Sequence, residues 1–433
     1  MTNILDISIL EDNKYDEITI NIVGNVDSGK SSLCGILSHP SLLDKDDNID
    51  ENKLIMTLDD GNGKSRERVL RLKHEKESKR TSSISYNYMI FKHSTPPKIV
   101  TMVDLAGHSK YLKTTITGIS STYPECGFVI ISKNITHMTK EHYSILATMK
   151  IPVLFILTKI DIIPKKIINT NIENIKLLSK LYKKELIELK EELFDDSSDI
   201  KCKYIKNNYF VKISNKTGEG YNLLLKYISN IRKKDKKINK AFSIDSVYNN
   251  ITGFGTVVSG INGISIKTGD NLFMGPFENK IFIPVKIRTI HNDYRQFCDV
   301  LEPNNRGCLS IKYNYQKYKK YSKYIKMGTI ITNDINIKII NKFKAQVAVF
   351  RGNSSNIKPG YTSYINIGLN KGSIRINKLW DKETDQEIKI MNSAYAIAEI
   401  QFTTKYACVD INDTFLFRSE RINGIGKVIE LIE

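Results

Sequence analysis

A chain of 433 residues, 41% hydrophobic and 26% charged, is long enough for two to three independently packed domains and ordinary for a globular protein. Its formal net charge of +18 favours polyanionic partners, and its longest apolar run, IPVLFIL (151–157), is far too short to span a bilayer. The six cysteines stand singly, without a C-x-x-C pair, and the first residues form no basic-then-apolar leader, so a reduced, cytoplasmic chain without a disulfide framework or zinc site is expected.

Residues 17 to about 235 alternate short β-branched runs with helical stretches. The runs are EITINIV, KIVTMVD, GFVIIS, PVLFILT and YFVKIS, and the clearest helix is expected over 168–193, where Ile and Leu recur every three or four residues. Strand and helix in alternation predict βαβ units, that is, a parallel sheet with helices on both faces. The basic stretch RKKDKKINK (232–240) reads as a linker. Beyond it come only short strands punctuated by Gly, Asn and Pro, as in GFGTVVSG, KTGDNLFMGP and PGYTSYINIG, a pattern suited to small β-barrels. The expected organisation is an α/β domain over 15–235 and two all-β barrels over 240–335 and 336–433.

The first candidate site is GNVDSGKSS (24–32), at the end of the first strand run. Gly24, Gly29, Lys30 and Ser31 satisfy the pattern G-x-x-x-x-G-K-[ST], with Asn25, Val26, Asp27, Ser28 and Ser32 completing the loop. The glycines let backbone N–H groups wrap phosphates, Lys30 reaches the β and γ oxygens, and the Ser31 hydroxyl ligates Mg²⁺. This loop alone does not choose between ATP and GTP.

Two later strand ends make that choice, TKID (158–161) and SNK (214–216). A carboxylate at Asp161 can accept from guanine N1–H and N2–H₂, a donor pair adenine lacks. An unpaired buried carboxylate would disfavour adenine by a factor that can reach about 10⁴. Lys159 would lay its aliphatic stem on the ring, the Asn215 N–H would meet the guanine O6, and Thr158, Ser214 and Lys216 complete the two segments. Between them VDLAGHSKYLKTT also follows a strand. There Asp104 would hold Mg²⁺ through water, the Gly107 N–H would sense the γ-phosphate, and His108 would orient the attacking water. Phosphoryl transfer needs mainly positioning and charge neutralisation, and such sites turn over slowly until a partner completes them. The residues therefore predict a switch that cleaves GTP to GDP and phosphate.

Taken together, GNVDSGK, DLAGH, TKID and GFGTVVSG resemble translational GTPases of the elongation factor Tu and elongation factor 1-alpha class. The resemblance is closer to the GTP-binding protein 1 and 2 branch. It rests on LDDGNGKSRERVLRLKHEKESKRTSS (58–83), MTKEH (138–142), ISNKTGEG (213–220), SIDSVYNNITGFGTVVSG, GDNLFMGP and FRSERINGIGKVIEL, and so covers essentially the whole chain. It implies a GTPase domain followed by two β-barrels, a switch Thr at Thr81 that ligates Mg²⁺, a monovalent cation such as K⁺ at Asp27, and His108 as catalytic histidine. The implied partners are the ribosome and aminoacyl-tRNA or other RNA, with no DNA and no membrane, in tRNA delivery or rescue of stalled ribosomes.

Some positions depart from the family pattern. Lys79 and Arg80 stand where the class has Gly-Ile, which disfavours an apolar gate with Val26. Ala106 replaces a Pro, and Thr158 replaces an Asn, which is expected to loosen the tie between base pocket and phosphate loop. KYNYQKYKKYSKYIK (312–326) carries six Lys and five Tyr and is expected to form a loop that either contacts RNA or packs its tyrosines on the barrel. Two other readings are a GTP-gated tRNA- or ribosome-binding protein with negligible turnover and a sulfate-activation GTPase subunit, which the R-T-S-S switch opposes.

Overall fold

The computed structural model describes residues 15–39, 42–43, 48, 50–61, 63–70, 84–108, 111, 115–116, 118–119, 122–194, 206–233, 241–349, 357–381, 384–391, 395–419 and 423–432. The chain divides into two compact units, Met1–Lys234 and Asp235–Glu433. Thr81, Lys79 and Arg80 lie outside the described residues, as does most of the expected linker.

In chain order the first unit contains β1 (Asp16–Gly24), α1 (Lys30–Leu37), α2 (Glu51–Thr57), α3 (Lys64–Glu67), β2 (Ser85–Phe91) and β3 (Lys98–Asp104). It continues with β4 (Cys126–Ile131), α4 (His137–Thr148), β5 (Val153–Leu157), α5 (Lys165–Leu181), β6 (Leu186–Glu188), β7 (Asn208–Lys212) and α6 (Tyr221–Asn230). The strands form one sheet in the order β2-β3-β1-β4-β5-β7-β6. All neighbours are parallel except β2, which runs antiparallel along the β3 edge. Strands β3, β4 and β5 are buried along their whole length, as continuous apolar runs in a sheet covered on both faces should be. The order reverses at β1, flanked by β3 and β4, so the loop after β1 emerges at the sheet's switch point, where doubly wound folds take their ligands.

The five expected strand runs all occur as strands. The helix expected over 168–193 does not extend that far: α5 ends at Leu181, and Lys183 turns the chain with φ +56°. Residues after the turn add β6 to the sheet edge beside β7, and Leu189 enters the core. Their apolar spacing mimics a helix because a strand followed by a short turn places Ile187, Leu189 and Leu193 against the same core.

The second unit holds two closed barrels. In the first, strands Phe242–Ile251, Gly255–Asn262, Arg306–Lys312, Ile283–Asn292, Asn271–Gly275 and Ile330–Thr332 pair in that cyclic order. In the second the cyclic order is Lys342–Val349, Tyr395–Phe402, Asn370–Trp380, Thr362–Ile367, Thr414–Arg418 and Asn423–Ile432. Lys342–Val349 shows the period of two that a barrel wall requires, with Phe343, Ala345, Val347 and Val349 inside. Closure leaves the cyclic strands without an unpaired edge. The expected fold class, an α/β phosphate-loop domain followed by two all-β barrels, is thus the observed one. Among the described residues no helix is long and apolar enough to cross a membrane.

The Lys/Tyr stretch is not a loop: Tyr315–Ser322 forms helix α7, capped by the Asn314 side chain. Tyr321 is buried and stacks on Phe277 at 5.0 Å, while Tyr313, Tyr318 and Tyr324 pack against the first barrel's core. Lys317, Lys319, Lys320 and Lys323 remain exposed, three of them lying over neighbouring tyrosine rings.

Candidate nucleotide site

The loop from Asn25 to Gly29 turns tightly because two glycines permit it. Gly24 has φ +149°, and a Cβ there would sit 2.4 Å from the Ile130 carbonyl oxygen on β4. Gly29, at φ +94°, starts α1 without a side-chain cap of its own, leaving the helix N-terminus directed at the loop. The Asn25 carbonyl accepts from Lys30 Nζ at 2.7 Å and from Ser28 Oγ at 2.9 Å, which draws the loop around the lysine. Lys30 is buried; desolvation lowers its pKa, opposed chiefly by the charge of Asp104. Val26 and Asp27 stay at least partly exposed on the loop, and Ser32 is buried in α1.

Strand β3 delivers the second group. Its register sets Asp104 beside Ile22 on β1, and the Ser31 hydroxyl donates to Asp104 Oδ2 at 2.7 Å, both residues buried. Three residues on, Gly107 lies directly against the phosphate loop. A Cβ at Gly107 would fall 2.5 Å from the Gly24 carbonyl oxygen and 2.6 Å from Lys30 Nζ, so the approach is one that only glycine allows. Ala106 is buried beside it. His108 follows with an exposed side chain; its carbonyl accepts from the Tyr111 N–H at 2.9 Å, and the two rings meet edge-on at 6.3 Å.

The two strand-end segments converge on the other side of the loop. Thr158, after β5, donates through Oγ1 to the Ser28 carbonyl at 2.7 Å. Asn215, after β7, donates through Nδ2 to the Gly29 carbonyl at 3.3 Å and is held by the buried Tyr221 hydroxyl at 2.9 Å. Thr158 thus keeps one hydroxyl bond to the loop, and Asn215 supplies a second. Ser214 Oγ donates to Asp161 Oδ1 at 2.7 Å and accepts from the N–H groups of Lys216 and Thr217. That leaves the exposed Asp161 carboxylate oriented by one serine. Lys159 adopts φ +61° between them.

Sequence reasoning overlooked three contributors. Asp59 accepts from Ser65 N and Oγ at 3.1 and 2.9 Å, and its own N–H donates to the Asn215 carbonyl at 2.9 Å. This joins the segment carrying α3 to the base side of the site. Arg66 on α3 reaches Asp27, with Nη1 3.9 Å from Oδ1. His142 of α4 is fully buried, and burial pulls its pKa down to about 3. The stretch around Gly63 entered the sequence analysis only as part of the family resemblance, and its docking on α1 left no local signal.

The site sits in a region that matches a known family: the elongation factor Tu GTP-binding domain aligns with residues 16–234. GTP-binding protein 1 of Xenopus laevis is 28% identical over 458 residues, covering 98% of this chain and 64% of the relative. GTP-binding protein 2 of Homo sapiens is 24% identical over 100% of this chain and 72% of its own length. The chain thus spans about two thirds of these curated relatives. Among solved structures, the Saccharomyces cerevisiae Ski7 GTPase-like domain bound to GTP superposes with a TM-score of 0.70 at 16% identity, covering 98% of this chain and 99% of that one. Elongation factor SelB of Methanococcus maripaludis gives 0.65 at 18% identity, over 97% of this chain and 80% of its own. These two likenesses show a shared fold. By the family domain it carries, the chain belongs to the translational GTPases of the elongation factor Tu type, a family whose members bind and hydrolyse GTP.

Proposed function

We propose that the chain binds GTP with Mg²⁺ and hydrolyses it as a cytoplasmic, elongation-factor-like switch on the ribosome or aminoacyl-tRNA, in tRNA delivery or stalled-ribosome rescue. The observation that carries this reading is convergence on one loop. Lys30, the Ser31–Asp104 pair and Gly107 gather at it, while Thr158 and Asn215 bond its Ser28 and Gly29 carbonyls.

Each residue then has a role. The N–H groups of residues 25–32 and the Lys30 ammonium take the phosphate oxygens, and Gly107 N–H reads the terminal phosphate. Asp161 accepts from guanine N1–H and N2–H₂ with Ser214 orienting it, Lys159 covers the ring, and Asn215 N–H meets O6, with Lys216 beside it. His108 orients the attacking water; its exposure suits a group completed by an external partner. The Ser31 hydroxyl and Asp104 carboxylate bring two hard oxygens within 2.7 Å of each other, a donor pair that suits Mg²⁺. With Thr81 they would hold the ion, which neutralises charge on the transferring phosphoryl group. Of the proposed RNA contacts, the exposed lysines of α7 suit phosphates better than its inward tyrosines suit bases.

The test is single-turnover GTP hydrolysis by wild type and His108→Ala, alone and with ribosomes, with and without aminoacyl-tRNA. A ribosome-dependent rise in the wild type, absent from the variant at unchanged GTP affinity, is expected. A further dependence on aminoacyl-tRNA assigns delivery rather than rescue. No rise with ribosomes refutes the switch reading and leaves the second one, a GTP-gated binder with negligible turnover.

A further inference from the structure

The resemblance implied a K⁺ ion at Asp27, and the surroundings of that carboxylate argue against one. Arg66 Nη1 lies 3.9 Å from Asp27 Oδ1, with the arginine side chain 21% exposed and the aspartate 67% exposed. Guanidinium is always charged, so a second cation at the same carboxylate would meet a permanent like charge.

Arg66 is not a stray surface arginine. Helix α3 lies so close to α1 that a Cβ on Gly35 would fall 1.9 Å from the Ser65 carbonyl oxygen. Asp59 pins Ser65 from the other side, and Arg68 Nη1 donates to the Thr57 carbonyl at 2.8 Å. Gly63 makes room for the guanidinium: its own Cβ would lie 2.8 Å from Arg66 Nη2. Arg66 Nε is buried with no hydrogen-bond partner among the described residues. The backbone thus delivers one arginine to the phosphate loop and leaves part of its donor set unused.

We infer that Arg66 is the resident cation of this phosphate loop, supplying beside Asp27 the positive charge that a monovalent metal ion would bring, so that polyphosphate binding here is independent of K⁺. The inference rests on the GTP-binding reading above. It casts Arg66 as a positioning residue that acts through Asp27 and the loop.

The experiment measures the affinity of a fluorescent GTP analogue, with Mg²⁺, in potassium chloride and in choline chloride of equal ionic strength. It compares wild type, Arg66→Ala, Arg66→Lys and Asp27→Asn. Wild type is expected to differ by less than about twofold between the salts. Arg66→Ala should lose about fivefold in choline and regain most of it in K⁺, the upper end of what an exposed ion pair at this distance supplies. Arg66→Lys should stay close to wild type. A wild type that needs K⁺, or an Arg66→Ala loss that K⁺ leaves unchanged, overturns the inference while the GTP-binding reading stands. Wild type that binds the analogue in neither salt sinks both. Should Arg66→Ala not fold, the wild-type comparison of the two salts decides alone.

Discussion

His142 offers a test of the first unit that involves no nucleotide. Its ring is fully buried in α4, neither nitrogen has a hydrogen-bond partner among the described residues, and desolvation, aided by the charge of Lys30, lowers its pKa to about 3. In the unfolded chain the same imidazole titrates near 6.5. As pH falls, the unfolded state takes up the proton first, so the neutral native form loses stability progressively from about pH 6.5 down to about 3. Between roughly pH 7.5 and pH 5 the loss from this one group is about 2 kcal/mol.

Replacing it with His142→Leu removes the titration, and with it two unpaired ring nitrogens. The variant should be at least as stable as wild type near neutrality. On acidification its advantage should widen by about 2 kcal/mol. Urea unfolding followed by far-ultraviolet circular dichroism reads the change in the helical first unit. The single tryptophan, Trp380, lies in the second barrel, so its fluorescence serves as an internal control and should show no difference between the proteins. A gap that widens by less than about 0.5 kcal/mol would refute the claim that this histidine is held neutral.

Gly107→Ala forces a methyl against the loop backbone and should cost about 1–3 kcal/mol, weakening GTP more than GDP in calorimetric titration. An equal loss for both would place Gly107 away from the terminal phosphate. Thr158→Val deletes the 2.7 Å bond to the Ser28 carbonyl, and nucleotide affinity should fall by roughly 5- to 30-fold, about 1–2 kcal/mol. Lys98 donates to the Ser229 and Ile231 carbonyls at the end of α6. Lys98→Met should lower the unfolding free energy of the first unit by about 1–3 kcal/mol, and an unchanged urea midpoint would show those carbonyls to be otherwise satisfied.

Much of the fold was legible because the relevant signals are local. An apolar run such as GFVIIS codes its own strand, and the loop G-x-x-x-x-G-K-S carries its geometry in two glycines and a lysine. Edge strands were less legible: β2 alternates buried and half-buried residues instead of forming a continuous apolar run, and the three-residue β6 shares its apolar spacing with the helix before it. The links that organise the site were illegible for another reason. Thr158 to Ser28 spans 130 positions and Asn215 to Gly29 spans 186, so neither bond leaves a periodic trace. Arg66 and Asp27 are likewise brought together only by the docking of α3 on α1. The tyrosines of α7 illustrate the converse, since their interleaving with lysine suggested base stacking and the helix turned most of them into the barrel.

The closure of the second barrel has a consequence for how the chain is made. Strand Lys342–Val349 is bonded on one side to Tyr395–Phe402 and on the other to Asn423–Ile432, the last described strand. During synthesis that barrel cannot complete its wall until the final strand has left the ribosome, so until then it carries two open edges of the kind that invite misassembly. The phosphate-loop unit, whose sheet is complete by residue 212, has no such dependence. The chain can therefore emerge with its nucleotide site formed well before its last barrel closes.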